Sequence, residues 1–113
     1  MSLSDEQAAF LLDACNLIRY ATEQGFKVTG GEMFRTVEQQ AIYVQTGRSK
    51  TLNSNHLKRL AIDLNFFKDG QIIWDKGVLT PLGAYWESLY PKNRWGGNFN
   101  SLVDCPHFER NVG

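Results

Sequence analysis

Ala61-Ile62-Asp63-Leu64-Asn65-Phe66-Phe67-Lys68-Asp69-Gly70-Gln71-Ile72-Ile73-Trp74 is the stretch on which the fold turns. Ile62, Leu64 and Phe66 alternate with Ala61, Asp63 and Asn65, so a strand here turns its apolar set to a core and carries Asp63 on the opposite face. Lys68-Asp69-Gly70 supplies a turn, with glycine where positive φ is easiest, and Gln71 to Trp74 returns as the second strand of a hairpin. An aspartate standing rigidly on the open face of a sheet is placed where a cleft could reach it.

The flanks read as helices with polar connections. Ser4 to Gln24 has a capping box in Ser4 and Gln7, and Ala8, Leu11, Leu12, Cys15 and Ile18 recur at helical spacing, which makes them the expected buried face. Gly25 stops this helix and Phe26 to Val28 begins a short strand ahead of Gly30-Gly31. Thr36 with Gln39 repeats the capping-box pattern and opens a second helix to about Thr46, ended by Gly47. Arg48 to Asn55 is a polar loop too long for a tight turn, hence a candidate functional loop. Thr80-Pro81 reads as the start of a third helix, running to about Tyr90 and stopping before Pro91. Lys92 to Gly113 is rich in Gly, Asn and aromatic residues and ends in an extended piece around Pro106 to Arg110. The expected class is a small single α+β domain spanning residues 1–113, an antiparallel sheet with a hairpin flanked by about three helices.

Composition excludes several function classes. Twelve basic residues balance twelve acidic ones over 113 residues, so there is no bulk attraction to nucleic acid or to an anionic membrane. No segment approaches the roughly 20 apolar residues of a bilayer span. Met1 to Gln7 lacks the basic start and apolar core of a signal peptide. Cys15 and Cys105 make neither a disulfide framework nor a four-thiolate zinc site, and read as free thiols. The partners expected exclude nucleic acid and membrane, and the chain is expected to be a monomer.

The chemistry gathers at the only two histidines, each beside a carboxylate. His56 precedes Asp63 by seven residues, and Asp104 precedes His107 by three. Taken singly, such a pair is more often a chance neighbour or a surface hydrogen bond than a metal site. Together, two neutral imidazoles and one carboxylate make a common three-ligand set for catalytic zinc, with the fourth position left for water whose pKa falls towards about 7. A further carboxylate can then move the proton to a leaving amine, and Asp104 is the candidate.

Ser54-x-His56-x-x-Arg59-x-Ala61-x-Asp63 resembles the S-x-H-x-x-G-x-A-x-D signature of the zinc D-alanyl-D-alanine carboxypeptidases and dipeptidases, a family that includes phage L-alanyl-D-glutamate endopeptidases. Trp95-Gly96-Gly97-Asn98-Phe99 followed by Asp104-Cys105-Pro106-His107-Phe108-Glu109 is similar to the ending of the phage endolysin branch, and Phe34-Arg35-Thr36-x-Glu38-Gln39 to its upstream segment. The resemblance covers roughly residues 26–110. It implies a hedgehog and D-Ala-D-Ala-peptidase type of fold and zinc held by His56, Asp63 and His107. It also implies Asp104 as general base and acid, and Arg35 on a substrate carboxylate or the oxyanion. Ser54, Gln39 and Trp95 are the candidate substrate-contacting residues, with local capping, surface and cleft-wall roles as their alternatives.

Arg59 stands where the family has glycine, which puts substrate choice in question more than the metal set. The implied activity is hydrolysis of an amide bond in the peptidoglycan stem peptide, by an L-alanyl-D-glutamate endopeptidase acting as a phage or prophage endolysin. Such a protein is made in the cytoplasm and released by a holin-type route, with no separate wall-binding domain. The alternatives are a D-alanyl-D-alanine carboxypeptidase, a non-catalytic zinc-stabilised wall-binding module, and, most remotely, a two-carboxylate glycosidase that would leave both histidines without a role.

Overall fold

The computed structural model describes residues 1–112. Helix α1 (Leu3–Glu23) begins at Ser2, whose hydroxyl accepts from the Asp5 amide while the Asp5 carboxylate accepts from the Ser2 amide. The capping box thus lies two residues ahead of the expected Ser4–Gln7 pair. The buried face also differs from the expected one. It consists of Glu6, Phe10, Ala14, Leu17 and Ala21, whereas Leu11 and Leu12 are 50% and 68% exposed and Cys15 is exposed. Both stripes have helical spacing. Packing selects the one in which Ala14 and Ala21 allow close approach and Phe10 meets Trp86 edge-on at 5.5 Å.

Strand β1 (Lys27–Gly30) leads to α2 (Val37–Gln45), capped by Thr36, whose hydroxyl accepts from the Gln39 amide. A 3-10 turn, Asn55–Lys58, enters strand β2 (Ala61–Lys68), and Asp69 and Gly70, both at positive φ, turn it into the two-residue strand β3 (Gln71–Ile72). This is the expected hairpin, with a shorter return strand.

Helix α3 (Lys76–Leu89) starts four residues ahead of Thr80, because Asp75 caps it by accepting from the Gly77 and Val78 amides. Pro81 therefore lies inside the helix rather than at its first turn. Strand β4 (Asn93–Trp95), a 3-10 turn at Gly96–Asn98 and strand β5 (His107–Arg110) complete the described elements.

The sheet is antiparallel in the order β1-β2-β5-β4, with β3 also on β2. On one face Leu64, Phe66 and Phe108 meet Phe10 and Leu17 of α1 and Leu79, Leu82 and Trp86 of α3 in a single core. Trp86 and Phe66 both stand edge-on to Phe108, at 5.9 and 5.8 Å. Arg110, on the same face as Phe108, is buried and fastens β5 to α1 through Glu6 and Asp13 at 3.1 and 2.8 Å. Removing one partner of such a buried charge set typically costs about 3–5 kcal/mol. The opposite face of β2 and β5 carries Asp63, His107 and Glu109, and remains open.

Candidate metal centre and cleft

Register brings the two motifs together. Asp63 on β2 is directly across from His107 on β5, so both side chains rise from the same face. His56 arrives from the 3-10 turn before β2. Ser54 caps that turn by accepting from the His56 amide at 3.2 Å, and the Leu60 amide closes it on the Asn55 carbonyl at 3.0 Å. Arg59, where the family motif has glycine, adopts the left-handed conformation at φ 55°, ψ 36°, and its guanidinium covers the Phe34 ring at 4.2 Å.

His56 Nε2 lies 3.4 Å from Asp63 Oδ1, and His107 Nδ1 lies 3.6 Å from the same oxygen. One ligand atom from each of the three side chains lies within 4.8 Å of the others. A tetrahedral zinc with bonds of about 2.0–2.1 Å needs ligand atoms about 3.3 Å apart, so two of the three edges are close to that spacing. The outer ring nitrogens define which inner ones are available. His56 Nδ1 is 2.8 Å from the Met33 carbonyl, to which it must donate, leaving the Nε2 lone pair inward. His107 Nε2 is 2.7 Å from Glu109 Oε1 and donates to it, leaving Nδ1 inward. His56 Nε2 and Asp63 Oδ1 are buried without a hydrogen-bond partner among the described residues. Each such orphan costs about 1–3 kcal/mol, a penalty a bound cation removes. The donor set fits a divalent metal.

Charge agrees with that fit. Desolvation acts to raise the Asp63 carboxyl, but the adjoining His107 and His56 rings outweigh it and hold it far below the usual carboxylate range. Burial acts to lower His107, yet Asp63 and Glu109 lift it to about 9 in the metal-free protein. Glu109, 5% exposed, is held charged in the same way by His107 and by Arg94, whose Nε donates to Oε2 at 2.9 Å. Across the cleft, desolvation raises the Asp104 carboxyl, the negative charge of Asp63 adds to the shift, and His107 opposes it.

The loop carrying Asp104 is held by close backbone contact. The Asp104 amide donates to the Gly96 carbonyl at 2.9 Å, and the His107 amide to the Asp104 carbonyl at 3.1 Å. A Cβ at Gly96 would sit 2.2 Å from the Asp104 carbonyl oxygen, so only glycine admits this approach. Trp95 is 1% exposed and lies between Gly83 and Gly97, with its indole N–H on the Cys105 carbonyl at 2.8 Å. Its part is to support the loop wall from beneath.

These residues border an open cleft of about 890 Å³. Arg35, Ser54, His56, Asp63, Trp95, Asp104 and His107 all border it, whereas Gln39 does not. The next residue points inward and braces Arg35. Buried Gln40 accepts from Arg35 Nη1 at 2.7 Å and donates to Ser49 Oγ at 2.9 Å, while Glu32 accepts from Arg35 Nε. Gln39 and Gln40 are a hundred degrees apart on α2, and only knowledge of which side faces Arg35 separates them. Glu109 was also missed as a partner for His107, although two residues along a strand share a face, and that parity is readable from sequence.

A family model described as D-alanyl-D-alanine carboxypeptidase matches residues 47–110, more than half of the chain and all three candidate ligands. The chain belongs to the D-alanyl-D-alanine carboxypeptidase family of peptidases. Within the reach of that family, it is 35% identical over 103 residues to an L-alanyl-D-glutamate peptidase of Listeria phage A118, a match covering 87% of this chain. The chain spans about a third (35%) of the length of that relative. Among solved structures, an L-Ala D-Glu endopeptidase of Serratia marcescens, ChiX, superposes with a TM-score of 0.70 over 96% of this chain and 85% of its own. At 24% identity this likeness establishes the shared α+β fold. Among the described residues of this carboxypeptidase-family chain, no helix is long and apolar enough to cross a membrane.

Proposed function

We propose that this protein is a zinc-dependent peptidoglycan peptidase that hydrolyses the L-alanyl-D-glutamate bond of the stem peptide, in the manner of a phage or prophage endolysin. The observation that carries the reading is the convergence of His56, Asp63 and His107 on one buried point with two orphaned donor atoms, at the floor of an open cleft. Identity to a phage L-alanyl-D-glutamate peptidase supports the choice of bond. A lytic role of this kind has the protein made inside the host and delivered to the wall by a holin-type route.

His56 Nε2, Asp63 Oδ1 and His107 Nδ1 would hold the zinc. The chemistry a zinc held there would supply is Lewis acidity and a water molecule acidic enough to serve as nucleophile near neutral pH. The chain's own groups do the rest. Asp104, whose carboxylate has no ion-pair or hydrogen-bond partner among the described residues, accepts the proton of the attacking water and returns it to the departing amine. Arg35, braced by Glu32 and Gln40, turns its remaining N–H groups to the carbonyl oxygen as negative charge develops there. Ser54 fixes the turn that presents His56.

Digestion of purified peptidoglycan, followed by mass spectrometry, tests the assignment. New alanine carboxyl ends and glutamate amino ends are expected, with activity lost on verified metal removal and restored by zinc. Release of terminal D-alanine alone would point instead to a carboxypeptidase, and undiminished cleavage by the metal-free protein would refute the zinc reading.

A further inference from the structure

The cleft has two walls of different character. One is the connection between α2 and the 3-10 turn at Asn55–Lys58, contributing Arg48, Ser49, Lys50, Thr51 and Asn53. The other is the loop that carries Asp104. Four basic residues border the cleft: Arg35, Arg48, Lys50 and Arg94. Arg35 is paired with Glu32, and Arg94 with Glu109. Arg48 and Lys50 have no carboxylate within ion-pair reach among the described residues, although the chain as a whole is neutral.

Arg48 is nevertheless held in place. Its guanidinium covers the Tyr43 ring at 4.4 Å, and its amide donates to the Tyr43 carbonyl at 2.8 Å. Arg35 covers the same ring at 4.5 Å. Each guanidinium carbon is thus within 4.5 Å of one centroid, and the two lie less than twice that distance apart. Like charges so close are tolerated because the ring attracts both and Glu32 neutralises one. Arg35 has two of its nitrogens engaged by protein acceptors, whereas the Arg48 side chain makes no hydrogen bond among the described residues.

We propose that Arg48, with Lys50, forms a second carboxylate-binding subsite beside Arg35, so that the cleft selects stem peptides whose glutamate keeps a free carboxylate over those in which it is amidated. This rests on the L-alanyl-D-glutamate reading. Glutamate has two carboxyl groups and the chain continues through only one, so the residue entering the cleft beyond the scissile bond presents a second acid. A planar guanidinium already stacked on an aromatic ring meets a carboxylate with two parallel N–H donors and little further loss of freedom. A primary amide offers one acceptor and no charge, and places an N–H₂ donor against the cation.

The test uses two synthetic stem peptides differing only in the free acid or primary amide of that glutamate carboxyl. Cleavage is followed with the zinc-loaded full chain, and binding by calorimetry with its Asp104→Asn variant. The parent protein should prefer the acid about five- to twenty-fold, in KM and in Kd, with kcat little different and the preference shrinking at high salt. In the Arg48→Ala/Lys50→Ala double variant the ratio should fall towards one, while Arg19→Ala, on helix α1 and outside the cleft lining, should keep it. Equal handling of both peptides by the parent, or a full preference surviving in the double variant, overturns the subsite; the latter result would leave Arg35 as the sole reader. Failure of cleavage with the binding preference and its loss intact would refute the catalytic reading while upholding the subsite.

Discussion

Removing the charge of Glu109 should loosen the metal without unfolding the protein. Glu109 Oε1 accepts from His107 Nε2 at 2.7 Å, and Oε2 takes Nε and Nη2 of Arg94. Glu109→Gln keeps the shape and one acceptor for the imidazole, but turns an amide N–H₂ towards the guanidinium. Arg94 has a side chain 52% exposed and can move into water at small cost. What is lost is therefore mainly the charge assistance to His107. A hydrogen bond to a charged group contributes about 1.5–3 kcal/mol, and a neutral one about 0.5–1.5, so the difference is about 1–1.5 kcal/mol, or roughly ten-fold in zinc affinity. Glu109→Ala removes the acceptor altogether and frees the ring to rotate, for which about a hundred-fold loss is expected. Zinc affinity is read by competition against a coloured chelator, with thermal unfolding confirming the folded state. A folded Gln variant that binds zinc within two-fold of the parent would refute the argument. Equal losses in Gln and Ala would show that geometry, not charge, is what Glu109 contributes.

On the proposed mechanism Asp104→Asn should lower kcat by about 10²–10⁴-fold with zinc affinity unchanged, because there its carboxylate would move a proton and is not one of the three metal ligands; a rate within ten-fold of the parent would exclude that role. Arg59 occupies left-handed backbone, so Arg59→Ala loses the stack on Phe34 and keeps the strain, whereas Arg59→Gly loses the stack and sheds the strain. After allowance for chain entropy, the glycine variant should be the more stable of the two by about 0.5–1 kcal/mol in urea unfolding, and the reverse order would disprove the strain. Gly83→Ala would place a Cβ 2.1 Å from the Trp95 ring, which cannot retreat because Gly97 abuts it. A loss near the upper end of about 1–3 kcal/mol is expected in thermal or urea unfolding, and no measurable loss would mean that the indole is free to shift.

How much of this was readable from the chain depends on the kind of signal. The hairpin and the outward face for Asp63 follow from strand parity, a strict two-residue period that leaves no phase to choose. The face of α1 does not. Apolar residues occupy more than half of its circumference, so Leu11-Leu12-Cys15 and Phe10-Ala14-Leu17 satisfy the same period, and only α3 and the sheet decide between them. Helix starts fail for a related reason. Ser2, Ser4, Asp5, Asp75 and Thr80 are all competent caps, and which one acts depends on where packing begins. Within the cleft, the convergence of His56, Asp63 and His107 and the place of Asp104 on the rim could be expected because few side chains have their chemistry. Gln40 and the Met33 carbonyl act instead by supporting Arg35 and His56, and a supporting contact of that kind is a property of distance across the fold, not of residue type.

The pairing of Asp63 with His107 also has a consequence in time. The strand that carries His107 enters between β2 and β4, which are not hydrogen-bonded to one another. Asp63 and His107 are 44 positions apart in the chain, so their meeting is a non-local contact that must close a long loop. A chain that stops short of residue 107 can pair β1, β2 and β3 but has nothing to join β4 to them, and carries only one of the two imidazoles. The pairing that closes the sheet is thus the same one that brings His107 to Asp63, so whatever delays β5 also delays the metal-binding geometry.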